Sequence, residues 1–132
     1  MPVTSAPDDT SRFIIAIVDD DPRILGSLKD LLESADYIVH VFASATALLE
    51  NDHLEQIDFL ISDISMPVMD GFELVRIAHA TRPTLPIMLI SGQRHILNGL
   101  PRILRGHYRV LKKPFDGHAL LTAVSDALGT PG

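Results

Sequence analysis

Five short apolar runs alternate with stretches of helical period, and this alternation constrains the fold more than any other feature. The runs are Phe13–Val18, Tyr37–Phe42, Ile57–Ile61, Ile87–Ile90 and Tyr108–Leu111. They are short and rich in β-branched and aromatic residues, and three are almost unbroken. That suits parallel strands covered on both faces. Tyr37–Phe42 is interrupted by His40 and reads as nearer an edge. After Pro22, which suits a first helical turn, Ile24, Leu25, Leu28, Leu31 and Leu32 form one apolar stripe. Ser44 can cap Ala45–Glu50, Gly71–Arg82 carries Phe72, Val75 and Ala78, and Asp116 can cap Gly117–Leu128. The segment His95–Leu104 contains Gly99 and Pro101, so a short, broken or displaced helix is expected there. The (βα)₅ pattern predicts a three-layer α/β/α fold of the flavodoxin-like kind. Its five-stranded parallel sheet should have the order 2-1-3-4-5.

Composition bounds the rest. The 132 residues suit one domain, and 46% are hydrophobic, which is enough for a core without covalent staples. Having no cysteine, the chain has no disulfide, Cys-based zinc site or thiol nucleophile. A net charge of −6 argues against direct binding of nucleic acid by this domain. No apolar run approaches the ~20 residues of a membrane span, and Met1–Arg12 has no signal-peptide layout. Residues 1–12 read as a flexible leader, 13–128 as the folded domain and 129–132 as a flexible end. A cytoplasmic protein is the expectation.

In an open parallel sheet, ligands bind beyond the carboxyl ends of the strands, beside the switch in strand order. The first run ends in Asp19, Asp20 and Asp21, and the third in Ser62 and Asp63. The fourth ends in Ser91 and Gly92, and the fifth in Lys112, Lys113 and Pro114. Each feature taken alone is an ordinary solvated turn. Their conjunction at four strand ends points to a site. Clustered carboxylates repel unless protonated or paired with a cation, and Mg²⁺ is a hard ion that takes one or two of them. An Asp can also be a nucleophile that forms an aspartyl-phosphate, with charge on the phosphoryl oxygens neutralised by the ion, an ammonium and a hydroxyl.

These residues match a known family. The chain resembles the receiver domain of two-component response regulators (CheY-like). The resemblance rests on IVDDDP (Ile17–Pro22), FLISDISMPVMDGFEL (Phe59–Leu74), PIMLISG (Pro86–Gly92) and KKPF (Lys112–Phe115). It covers about residues 13–128. VDDDP, SLKDLL and FASATALL are most similar to the FixJ/NarL-type members. The resemblance implies a phosphoacceptor at Asp63 and a Mg²⁺ site. The ion's ligands would be Asp20, Asp63 and the Ser65 backbone carbonyl, with Asp19 assisting. Ser91 would be the switch hydroxyl, and Lys113 would pair with the phosphoryl group or with Asp63. Met66, Pro67, Asp70 and Gly71 would form the loop leading from the site into the next helix. The implied phosphodonor is a histidine kinase or a histidine phosphotransfer protein, and a homodimer or an effector domain is a further partner to consider.

Two departures stand out. Three residues before the lysine, the family usually has Tyr or Phe, whereas this chain has Val110, which is short and stiff. Tyr108 lies two residues earlier on the same strand face, ~6.6 Å away, and reads as a packing residue, with substitution for the missing aromatic as the alternative. The second departure is Pro101, in a stretch the family keeps helical on its signalling face. Val110, Tyr108 and Pro101 therefore define the switch region to watch.

Three functions compete. The first is a phosphoacceptor switch, not a turnover enzyme. The second is an aspartyl-nucleophile phosphohydrolase of the haloacid-dehalogenase kind, which needs a second Asp two residues after the first, where this chain has Ser65. The third is a degenerate receiver acting as a phosphate-independent interaction module. A dinucleotide enzyme is excluded because no GxGxxG follows the first run. The six histidines include no metal-type pair, so the phosphodonor histidine is expected on another protein.

Overall fold

In the computed structural model, residues 12–91, 108–112 and 116–128 are described, with the main chain alone for Ser91, Tyr108–Val110 and Lys112. The elements are β1 (Ile14–Val18), α1 (Pro22–Ser34), β2 (Ile38–Phe42), α2 (Ala45–Leu49), α3 (His53–Gln56) and β3 (Phe59–Asp63). They continue with α4 (Gly71–Thr81), β4 (Ile87–Ser91), β5 (Tyr108–Lys112) and α5 (Gly117–Leu128). The expected helix over 95–104, with Pro101, lies outside the described residues, as do residues 1–11 of the leader (1–12), Lys113 and the last four residues.

The strands form one parallel sheet in the order β2-β1-β3-β4-β5. Their side chains alternate between two cores, as a period of two requires. Ala16, Val18, Leu60 and Leu89 face one side, where Ala45 and Leu48 of α2 and Leu74, Val75 and Ala78 of α4 cover them. Ile15, Ile17, Phe59, Ile61, Met88 and Ile90 face the other, under Leu25, Leu28 and Leu32 of α1 and Leu120 and Val124 of α5. The central strands are apolar on both faces because both faces are roofed. β2 lies at the edge, and its His40 and Val41 are exposed.

The helix starts follow local chemistry. Asp21 accepts from the Arg23 amide at 2.9 Å and Pro22 occupies the first turn. Ser44 accepts from Ala47 at 3.2 Å, and Asp116 accepts from His118 at 3.2 Å. Asp70 caps α4 by accepting from Glu73 at 2.9 Å.

Two features differ from the sequence reading. The third strand starts at Phe59 and ends at Asp63, two residues later than the apolar run Ile57–Ile61. Asp58 is the cause: its carboxylate accepts the Ile14 N–H at 2.8 Å while its own N–H donates to the Ile14 carbonyl at 2.7 Å. This clamp fixes where the β1–β3 ladder begins. The other feature is α3, a single turn without an apolar period of its own. Arg82 ties it down from the end of α4, donating through Nη1 to the carbonyls of Leu54 and Ile57.

Tyr37, at the entry to β2, is buried, and desolvation pushes its phenol above the usual value of 10. The folded state thus holds this proton to higher pH than the unfolded chain does. The associated stability is fully present below pH 10 and declines as pH rises through the folded value. In a Tyr108→Phe background, tyrosinate absorbance reports Tyr37 alone. Its ionisation is expected to coincide with alkaline loss of the fold. Ionisation at an ordinary pH, with the fold intact, would contradict the assigned burial.

Candidate functional site

The register of the two central strands builds the site. Val18 pairs with Ser62, so one step further along β1 and β3 come Asp19 and Asp63. Asp63 in turn pairs with Ile90 on β4, and Ser91, the next residue, pairs with Lys112 on β5. The carboxyl ends of β1, β3, β4 and β5 therefore share one edge of the sheet, beside the switch in strand order.

Asp19 is 2% exposed and Asp63 7%, whereas Asp20 is exposed. Carboxylate oxygens of all three lie within 4.8 Å of one another. Oxygens across an octahedral Mg²⁺ site stand about 4.2 Å apart, given Mg–O distances of about 2.1 Å. An oxygen-only donor set of this kind is the chemistry a hard divalent ion takes. It also concentrates three like charges, which favours a cation.

The main chain around the carboxylates is pinned from several directions. The Asp19 N–H donates to the Phe42 carbonyl at 3.1 Å, anchoring the end of β1 to β2. Asp19 Oδ1 accepts the Asp21 N–H at 2.9 Å, which folds the acidic run back on itself. Asp21 is spent on capping α1. Its carboxyl is held below the usual range, first by the Arg23 amide N–H and then by the Arg23 side chain. That contribution is present at neutral pH and is lost as pH falls through the depressed value. Beyond β3, the Ile64 N–H donates to the Ile90 carbonyl at 3.0 Å and the Ile64 carbonyl accepts from Gly71 at 2.8 Å.

Of the residues singled out from sequence, Asp19, Asp20 and Asp63 are brought together. Ser65 lies two residues past Asp63 on the exposed loop, and Ser91 ends β4. Tyr108 and Val110 both lie on β5, paired with Ile87 and Leu89. Lys113 and Pro101 lie outside the described residues.

The loop from Ile64 to Asp70 borders a shallow groove lined by Ile64, Ser65, Met66, Pro67, Asp70 and Phe72. At its tip Val68 has φ 70° and a fully exposed side chain. A β-branched residue in this left-handed region is strained. Asp36, Asn51 and Asp52 share the conformation, but they are residue types that tolerate it. The sequence carried a signal for the Asp21 cap in its Asp-Pro pair. It carried none for Val68.

Comparison with known proteins fits this geometry. Residues 15–125 match the family described as the response regulator receiver domain. The chain belongs to that family. Among relatives of this receiver domain is the C4-dicarboxylate transport transcriptional regulatory protein DctD of Pseudomonas aeruginosa, 33% identical over 93% of this chain and 26% of its own length. Another is the transcriptional regulatory protein FixJ of Bradyrhizobium diazoefficiens, 31% identical over 90% of this chain and 58% of its own length. Identities this similar do not single out the FixJ type. The chain spans about a quarter of the length of the first relatives it matches. A CheY-like receiver domain protein from Methanospirillum hungatei superposes with a TM-score of 0.78 at 32% identity, covering 89% of this chain and 94% of that one.

Val68→Gly removes the side chain from its strained position and is expected to stabilise the receiver domain by about 0.5–1 kcal/mol, the relief exceeding the added flexibility of the unfolded chain. Urea denaturation checks this. A loss of stability would mean that the Val68 side chain makes a favourable contact.

Proposed function

We propose that this receiver domain accepts a phosphoryl group on Asp63 in a Mg²⁺-dependent reaction and changes conformation as a result. The observation that carries the reading is the convergence of Asp19, Asp20 and Asp63 within 4.8 Å at the switch in strand order. A phosphate-independent module has no need for three such mutually repelling carboxylates.

The phosphodonor is a phosphohistidine of a kinase or a histidine phosphotransfer protein. An Asp63 carboxylate oxygen attacks phosphorus, the N–P bond breaks, and the imidazole nitrogen keeps the bonding pair and takes a proton. The product is an aspartyl-phosphate. Bound Mg²⁺ supplies positive charge to the phosphoryl oxygens. Asp20, Asp63 and the Ser65 carbonyl would hold the ion, and Asp19 would assist. Asp19 also keeps the acidic run folded through its bond to the Asp21 amide. Lys113, next in sequence after the end of β5, balances phosphoryl charge, and the Ser91 hydroxyl follows the new oxygens. The domain is a switch and not a turnover enzyme, and it works in the cytoplasm. No helix among the described residues is long and apolar enough to cross a membrane. Output passes to an effector domain or a partner protein. DctD and FixJ are transcriptional regulators by name.

Intact mass after incubation with acetyl phosphate tests the reading. Wild type is expected to gain one phosphoryl group only when Mg²⁺ is present, and Asp63→Asn none. Asp20→Asn should raise the Mg²⁺ needed for half-maximal labelling on the order of tenfold, about 1.4 kcal/mol. Unlabelled wild type, or equal labelling of Asp63→Asn, would overturn the assignment.

A further inference from the structure

Gly71 opens α4 directly behind the phosphoacceptor. A Cβ built there would stand 2.5 Å from the Asp63 carbonyl oxygen and 2.8 Å from the Ile64 Cα, both main-chain atoms. Neither wall can turn aside as a side chain could. The Gly71 N–H also donates to the Ile64 carbonyl at 2.8 Å. One residue thus touches the main chain on both sides of the Asp63–Ile64 peptide, immediately before Ser65.

Both partners of this contact are held firmly. On the α4 side, Leu74, Val75 and Ala78 are fully buried, and Asp70 caps the helix. On the β3 side, Asp63 is in register with Ile90, and Ile64 donates to the Ile90 carbonyl. An added methyl therefore has two outlets. It displaces the Asp63 carbonyl, or it lifts α4 and breaks the bond to Ile64. Each outlet releases the segment Asp63–Ser65.

We propose that Gly71 is a positioning residue: by close contact with the Asp63–Ile64 main chain it sets where the Asp63 carboxylate and the Ser65 carbonyl meet a divalent cation. This rests on the metal-site reading above. Misplacement by a fraction of an ångström is enough to weaken a site that demands near-ideal octahedral geometry.

Gly26 separates positioning from mere folding. It lies inside α1, and a Cβ there meets nothing within 4 Å. Gly26→Ala is expected to raise the thermal midpoint by roughly 3–5 °C. The experiment is Mg²⁺ titration by calorimetry, with thermal unfolding in parallel, on four versions of the 132-residue chain: wild type, Gly26→Ala, Gly71→Ala and the double variant. Gly26→Ala should bind Mg²⁺ like wild type. Gly71→Ala should bind about tenfold more weakly or worse, and the double variant should regain thermal stability without regaining Mg²⁺ affinity. Wild-type affinity in either Gly71 variant would overturn the proposal while leaving the metal site standing. A double variant that cannot fold would reduce Gly71 to a folding requirement and overturn it equally. A wild type that binds no Mg²⁺ would remove the metal-site reading and the proposal together.

Discussion

Parallel pairing of β1 with β3 determines what this molecule can do. The ladder carries Val18 against Ser62, and the next step on each strand is an aspartate. Two nearly buried carboxylates are thereby forced side by side, with Asp20 close at hand. Such an arrangement opposes folding unless a cation or a bound proton balances it. The sheet tolerates it because both of its faces are sealed by helices over unbroken apolar layers. The same ladder is clamped at its other end, where Asp58 exchanges two hydrogen bonds with Ile14. A one-residue slip would exchange the two faces of β3 and carry Asp63 away from Asp19.

Around this constraint the loops divide their work. Asp21 belongs to α1 as its cap, so the acidic run contributes two residues to the site and one to the scaffold. Phe42 and Ile90 lend carbonyls that fix the main chain at Asp19 and Ile64. Gly71 closes the site from behind. Among the described residues, the β-branched residue held at positive φ is Val68, at the loop tip and fully exposed to solvent.

Much of this was legible in the residues. Apolar runs of strand length gave the sheet order, and His40 marked the edge strand, because a polar residue inside such a run needs a solvated face. The carboxylates at the ends of the first and third runs pointed to a candidate site, and Asp19, Asp20 and Asp63 do lie close together in the fold. Other features depend on contacts distant in sequence. Asp58 reads as part of an apolar run until its carboxylate is seen on Ile14, 44 residues away. The turn His53–Gln56 is too short to show a period, and Arg82 holds it from 25 to 28 residues downstream. Gly71 could be placed in the loop after Asp63, but its contact with the Asp63 carbonyl is a matter of tertiary approach, which no local pattern encodes. The contributions of Lys113 and Pro101 fall outside the described residues.

On the reading proposed above, the carboxyl ends of β1 and β3 form one divalent-cation site. Amide NMR during a Mg²⁺ titration tests it most directly. Saturable shifts that fit a single affinity are expected at Asp19–Asp21 and Asp63–Ser65. Ile14, Ile38 and Phe59, at the opposite ends of their strands, should stay in place. Absence of saturable shifts at the aspartates, or movement centred on the opposite strand ends, would contradict it.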